Sequence, residues 1–475
     1  MNGQNVVKKA FELKEGVYLV EGAEFASICD TNSGNVYSIN RRAKDIALRR
    51  REDPSFLRRL LEMELIAEPE ASHTVQEPSE LTTRHDISLD FIWFEIISSD
   101  CNERCTHCYA DSMPPSYRTA MGFVPLESIA TARRKEASVR LPFDRWTHLI
   151  REGAALGCRN CQFIGGEPFL YKASSGGTVL DLAETARLGG YELIEIFTNA
   201  TLLTESKIKR IKELGLHIAV SLYSIKAEIH DAITRTPGSF EKTRQALEAL
   251  KRADIPTRVE VTLMRTNQET VEETSRWIET EGFRHRSPDV LRPKGRGDNP
   301  ELIPDSKFVV EYGLMTEPSF RADREFFVRS ISGHNCLAGK ITITEGGDIL
   351  PCIFSRNQVL GNVRTQSLHD MLGSSQLKTI WQSTKDNVLV CQDCEYRYVC
   401  FDCRPISEAI ADGKADYLRA PYPRCTYNPY TGEWAEGLWR MNDDGEPLYD
   451  RSVGPSIQRT IKDGTKVKVT RELGH

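Results

Sequence analysis

Apolar and polar positions along the 475-residue chain fall into three regimes. In residues 1–66, alternation of period two marks short strands at 16–20, 25–29 and 36–39, with TNSGN at 31–35 as the hairpin turn between the last two. Helical spacing follows at 43–50 and 56–64, the second opened by Asp53 as N-cap and Pro54 at the first helical position. Residues 67–86 are polar, contain proline and hold no period, which predicts a linker. From Ile87 to about Arg296, strand-like apolar runs at 91–97, 162–164, 193–197, 217–222, 257–264 and 288–291 alternate with helical patterns such as 144–155 and 239–251. That alternation predicts an α/β fold with a parallel sheet and crossover helices. Beyond residue 311 the periodicity gives way to closely spaced cysteines.

Composition narrows the class. The net charge is −6 and 40% of residues are apolar, so nothing points to a polyanion, and nucleic acid is not expected as the main partner. No apolar run is long enough to cross a bilayer and the N-terminus lacks a charged-then-apolar signal, so no membrane association and a cytoplasmic location are expected. Length alone allows two to four domains. Thirteen cysteines sit mostly in tight spacings, which favours metal ligation in a reducing compartment over disulfides.

The densest chemistry follows the first strand of the alternating region, in Cys101-Asn-Glu-Arg-Cys105-Thr-His-Cys108-Tyr-Ala. Three thiolates in one short loop can bind three irons of a cubane and leave the fourth without a protein ligand. The alternative is a zinc knuckle, but zinc closes a structural site with four ligands and no fourth Cys or His stands at the usual spacing. The C-x3-C-x2-C pattern with its flanks resembles the radical S-adenosylmethionine (SAM) enzymes. The resemblance implies that the open iron chelates SAM and that the reduced cluster cleaves it to a 5′-deoxyadenosyl radical, with Cys101, Cys105 and Cys108 as catalytic ligands. It also implies a partial (β/α)6 barrel over residues 87–310, with the site at the C-terminal ends of the strands.

Other motifs fall where such a barrel needs them. Gly165-Gly166-Glu167-Pro168 ends the second strand, where glycines admit a close ligand and a carboxylate accepts from an ammonium. It matches the family's SAM amino-group motif. The resemblance further places Thr198 and Asn199, ending the third strand, Ser221, ending the fourth, and Arg235 near SAM; polar residues at strand ends also serve as caps, and an arginine as a solvated ion pair. His107 occupies a position that the family sets beside the adenine. Cys158 and Cys161 lack a second pair and read as buried structural thiols. Residues 111–141 form an insertion with a basic cluster, Arg133, Arg134, Lys135 and Arg140, that shapes substrate entry or is simply a solvated face.

A second constellation comprises Cys336, Cys352, Cys391, Cys394, Cys400, Cys403 and Cys425. It resembles the SPASM extension over 336–425, after a bridging segment at 311–335. By that resemblance Cys336, Cys352 and Cys403 hold one auxiliary cluster and Cys391, Cys394, Cys400 and Cys425 another, for three 4Fe-4S clusters in all. The spacing Cys400-x2-Cys403 is one residue shorter than usual and an upstream cysteine is missing, so one iron is open or is met by His334, a substrate thiol or water. The alternative is a zinc ribbon from the two CxxC pairs. The tail 426–475 begins with an aromatic stretch similar to freyrasin-type and grasp-with-SPASM thioether maturases.

Residues 1–66, with CDTNSGNVYSIN at the turn, resemble the PqqD-like, winged-helix-like domains that take a leader peptide as an extra strand; a packing or oligomerisation module is the alternative. Taken together, the resemblances imply a maturase that binds a ribosomal precursor peptide, draws electrons from a low-potential donor such as flavodoxin or ferredoxin, and joins cysteine sulfur to carbon. Carbon–carbon linkage, epimerisation, sulfatase maturation, electron carriage and a peptide-binding scaffold are the competing functions.

Overall fold

The computed structural model describes residues 13–48, 53–66, 87–120, 140–411 and 416–464. The expected linker at 67–86 and the basic cluster at Arg133, Arg134 and Lys135 lie outside them. The chain divides into two compact units, one of residues 1–87, 314–338 and 380–475 and one of residues 88–313 and 339–379.

The first unit opens with an antiparallel sheet of β1 (Val17–Glu21), β2 (Ala26–Asp30) and β3 (Asn35–Ile39), in that order. Successive side chains point to opposite faces, and here both faces are covered. Val17, Ile28 and Ile39 pack with Ala43, Ala47 and Leu60 of the helices Arg41–Ala47 and Pro54–Glu62. The second helix starts as its residues predict: Asp53 accepts from the Ser55 amide, with Pro54 at the first turn. Tyr18, Val20 and Cys29 face the other way, onto Phe327 and Ile331 of the helix Arg324–Ser332 and onto Tyr396, Val399 and Tyr427. Tyr18 stacks on Phe327 at 4.6 Å between ring centres. The N-terminal sheet and the cysteine-rich segment therefore share one core.

The second unit is built on nine strands: β4 (Phe91–Ile97), β5 (Asn160–Gly165), β6 (Leu193–Thr198), β7 (His217–Ser221) and β8 (Thr257–Glu260), then β10 (Arg284–His285), β12 (Lys340–Ile343), β13 (Asp348–Leu350) and β14 (Gly361–Asn362), with β9 (Thr262–Leu263) and β11 (Asp289–Val290) in a separate short ladder. Their order is β10-β8-β7-β6-β5-β4-β12-β13-β14. From β10 to β12 every pair is parallel. Ile92, Phe94, Phe163, Ile196 and Val220 are buried, as strands flanked by helices such as Phe143–Ala155, Val179–Leu188 and Ser239–Arg252 require. This is an α/β fold with six parallel strands on one side of β12, as the alternation predicts.

Two features differ from the expected pattern. The sixth strand begins at Arg284, pairs first with β8 and then, past Pro288, with β9. One residue is gained between the two ladders and Pro288 has no N–H to donate, so the strand is interrupted where the periodicity suggested its start. Residues 340–343, which the cysteine spacing assigned to the C-terminal extension, lie in register beside β4, Lys340 opposite Phe91 and Ile343 opposite Phe94.

Candidate functional site

The cysteine loop leaves β4 at Ile97 and is held by the backbone around it. Arg104 and Thr106 donate their amides to the carbonyls of Thr234 (3.0 Å) and Ile233 (2.9 Å) at the end of the helix Ala227–Thr234. From the far side of the chain Arg296 donates Nε to the Cys105 carbonyl (2.9 Å), its amide to the Cys108 carbonyl (3.0 Å) and Nη2 to the Ser112 carbonyl (2.7 Å). Glycines make this approach possible. A Cβ on Gly295 would stand 2.5 Å from the Cys108 carbonyl oxygen, and one on Gly166 would overlap the Asp100 carbonyl. Gly165, at φ +149°, leaves the same lack of room against Ile97. Asp100 is pinned in turn by Arg118 (3.0 Å) and Arg140 (2.5 Å), so Arg140 is a strut of the loop.

The three thiols share one electrostatic environment. Burial raises the Cys101 and Cys105 pKa values, and neighbouring carboxylates and the other thiols of the loop raise them further. Positive charge at the site, as cluster iron supplies, reverses that penalty. Asn199 Nδ2 stands 3.8 Å from the Cys101 sulfur and donates to Asn102 Oδ1 at 3.0 Å. Tyr223 Oη lies 4.0 Å from the Cys105 sulfur, and its ring meets His107 edge-on at 4.8 Å.

Glu167 is fully buried at the end of β5. Its Oε1 accepts from Thr198 Oγ1 (2.7 Å) and the Phe169 amide (3.0 Å), and its Oε2 accepts from the Asn199 amide (2.9 Å). A carboxylate offers about four acceptor positions, so one direction at Oε2 stays free for an ammonium. Burial raises its pKa, offset in part by these donors. The geometry thus gathers Gly165, Gly166, Glu167, Thr198 and Asn199 around Cys101. Ser221 is linked to the site through Tyr223. Arg235 does not join them: it is exposed in a left-handed helix cap at φ +52°, and only the carbonyls of the two residues before it reach the cysteine loop.

Sequence reasoning passed over several residues here. Glu103 is 2% exposed, and burial, then Glu167, lifts its pKa to about 8. Glu95 on β4 is fully buried and paired with Arg356, Nη1 to Oε2 at 2.8 Å, beside Tyr109. Arg356 lies 261 residues away, so no local pattern could join the two. The Gly295-Arg296-Gly297 triplet was the one available signal. Glu103 Oε1, Thr106 Oγ1 and His107 Nδ1 are buried without a hydrogen-bond partner, and Arg296 Nη1 has only Asp111 Oδ1 at 4.0 Å. Such atoms are costly unless something polar meets them, and a polar ligand at the loop fits that requirement. Among the described residues no three His, Cys, Asp or Glu converge as for a single ion.

In the other unit, the thiols of Cys391, Cys394, Cys400 and Cys425 act on one another electrostatically; burial raises Cys391 to about 11 and Cys394 and Cys425 as well. Cys403 packs with Cys425, Ile406 and Tyr422. Cys336 belongs to the same unit, whereas Cys352 belongs to the sheet-based unit. His334 is not a free ligand. Its Nδ1 accepts from the amides of Cys336 and Leu337, both at 3.2 Å, and its Nε2 stands 3.1 Å from Asp402 Oδ1. This fixes the proton on Nε2, so neither ring nitrogen is left to close an open iron as the sequence had suggested. Burial lowers its pKa.

Among the described residues no helix is long and apolar enough to cross a membrane. Residues 96–278 match the Radical SAM superfamily, and residues 336–395 match SPASM, an iron-sulfur cluster-binding domain. An AdoMet-dependent heme synthase of Methanosarcina barkeri is 25% identical over 366 residues, covering 70% of this chain and 95% of that protein. The antilisterial bacteriocin subtilosin biosynthesis protein AlbA of Bacillus subtilis is 24% identical over 296 residues, 60% of this chain and 59% of AlbA. The crystal structure of Streptococcus suis SuiB superposes with a TM-score of 0.50 at 13% identity, covering 87% of this chain and 99% of that one, and so shares the fold. Its cofactors are SAM with a 4Fe-4S cluster in the first matched region and auxiliary iron-sulfur clusters in the second. The chain is a radical S-adenosylmethionine enzyme with an iron-sulfur cluster-binding SPASM domain.

Proposed function

We propose that this enzyme is a peptide maturase that links cysteine sulfur to carbon in a ribosomal precursor. Cys101, Cys105 and Cys108 hold the SAM-binding cluster, Glu167 receives the SAM ammonium, and Asn199 and Thr198 fix Glu167. Cys391, Cys394, Cys400 and Cys425 hold an auxiliary cluster. A flavodoxin or ferredoxin supplies low-potential electrons. When bound, the cofactors supply a 5′-deoxyadenosyl radical, the species that removes a hydrogen atom from an unactivated carbon. Bond formation to a cysteine sulfur then leaves one hydrogen in 5′-deoxyadenosine and releases one proton and one electron.

The observation that carries the peptide reading is the N-terminal sheet's attachment to the auxiliary-cysteine loop. Ser27 Oγ donates to the Glu395 carbonyl (2.7 Å), Ala23 N to the Asp393 carbonyl (2.8 Å) and Arg397 Nη1 to the Glu21 carbonyl (2.6 Å). With both faces of the sheet covered, the outer edges of β1 and β3 are what it offers an extended peptide. The likeness to AlbA, a bacteriocin biosynthesis protein, supports the same reading. A second reading, a haem-forming enzyme, is favoured by the 95% coverage of the heme synthase, although about 30% of this chain has no counterpart in that match.

Anaerobic co-expression with the short Cys-containing reading frame beside the gene tests the proposal, with mass analysis after thiol alkylation. A loss of two hydrogens per bridge with those thiols protected is expected. The same loss with every thiol alkylated points to carbon–carbon bonds instead. An unchanged peptide, with an iron porphyrin converted in its place, rejects the peptide reading for the haem one.

A further inference from the structure

One buried cation has no role in the chemistry above. Lys385 opens the single-turn helix Lys385–Asn387 and is 5% exposed. An ammonium carries three donors. Here its hydrogen bond goes to the Cys400 carbonyl, which also accepts from Asn335 Nδ2 at 2.9 Å. Among the described residues no carboxylate stands within ion-pair distance of Lys385. Asp402, which lines the same small cavity as Lys385, is bound to Arg404 and sits beside His334. Arg404 is itself fully buried and donates to the carbonyls of Leu418 (3.4 Å) and Ala420 (2.7 Å).

Lys385 and Arg404 bring two positive charges here against the one negative charge of Asp402. A buried cation without an anion costs several kcal/mol, and a fold that keeps one needs negative charge nearby. The groups that reach Lys385 supply the direction. Its ammonium holds the carbonyl of Cys400, one of the four cysteines of that group, so its charge stands beside them. An iron-sulfur cluster bound by four thiolates is anionic and becomes more so on reduction, and the low dielectric around a buried charge strengthens its effect.

We propose that Lys385 sets the reduction potential of the auxiliary cluster held by Cys391, Cys394, Cys400 and Cys425, its fixed charge favouring the reduced over the oxidised state. The inference rests on the ligand assignment under Proposed function. Lys385 touches no substrate or reacting atom, so it is a positioning residue, and its effect is read in a potential.

The experiment uses the full chain with Cys101, Cys105 and Cys108 changed to Ala, reconstituted with iron and sulfide, and titrated with dithionite under EPR detection. Lys385→Met, Lys385→Gln and Lys385→Arg are compared on that background. In Lys385→Met one auxiliary wave moves down, so that at its original midpoint the oxidised-to-reduced ratio rises about tenfold, or about 59 mV for a one-electron couple. Lys385→Arg leaves the midpoint within about twofold in the same ratio, since the charge is kept. Full iron with an unmoved midpoint in Lys385→Met overturns the proposal. So does loss of auxiliary iron in both neutral variants but not in Lys385→Arg, which assigns the charge to assembly. If the background protein binds no auxiliary iron at all, the ligand assignment fails first, and the iron count separates that outcome from the others.

Discussion

The two groups of thiols are surrounded in opposite ways. Around Cys101, Cys105 and Cys108 the buried atoms Glu103 Oε1 and His107 Nδ1 have no hydrogen-bond partner, and Glu167 keeps one acceptor position. Around Cys391, Cys394, Cys400 and Cys425 a fourth thiol is present and Asp402 pairs with Arg404, while Glu395 Oε2 and Arg404 Nε are likewise buried without a hydrogen-bond partner. Three thiolates leave one iron to accept a ligand, and four close a cluster that only carries electrons. The contrast lies in the buried charges as much as in the number of cysteines: the carboxylates Glu103 and Glu167 stand at the first group, the cations Lys385 and Arg404 at the second.

The largest effect comes from removing thiols. Cys105→Ala is expected to abolish 5′-deoxyadenosine formation while leaving auxiliary iron, and Cys391→Ala to lose auxiliary iron while still cleaving SAM. Chromatography of the nucleoside with iron analysis checks both. Next, Asp402→Ala strands Arg404 and should cost about 3–5 kcal/mol in chemical denaturation. Glu103→Gln, its counterpart at the open site, should cost under about 1 kcal/mol, because one carboxylate oxygen already lacks a partner. Equal losses would erase the distinction between the two shells.

Glu167→Gln tests the free acceptor position directly. It replaces a charge-assisted contact and should weaken SAM binding by about 1.5–3 kcal/mol, roughly 10- to 150-fold, measured by equilibrium binding to the reconstituted enzyme. Thr198→Val removes only the donor that orients Glu167, at about 0.5–1.5 kcal/mol, or a factor of about 2 to 13 in the same assay. An affinity unmoved in both would place the ammonium elsewhere.

Much of the fold was legible because its signals are local. The alternation of β1 to β3, the Asp53-Pro54 helix start and the apolar runs of β4 to β7 each lie within a few residues, and each strand appears within a residue or two of its expected place. The thiol loop and the Gly165-Gly166-Glu167 turn were legible for the same reason. What escaped is long-range. The pairing of β12 with β4 and of Arg356 with Glu95 needs segments more than 240 residues apart. Arg235 carried a family-like context but lies in a left-handed cap with its side chain in solvent. His334 offered two ring nitrogens, and only the fold reveals that two amides and Asp402 occupy them. The sharing of one core by β1, β2 and the segment around Tyr396 was likewise invisible, because alternation tells which residues are apolar and not what covers them.

The most direct test of the central claim is electron–nuclear double resonance on the reduced enzyme with SAM isotopically labelled in its amino and carboxylate groups. Coupling between label and iron is expected in the unaltered chain and in Cys391→Ala, and none in Cys105→Ala. Coupling that persists in Cys105→Ala would contradict it, since SAM would then be bound at iron that the loop of Cys101, Cys105 and Cys108 does not hold.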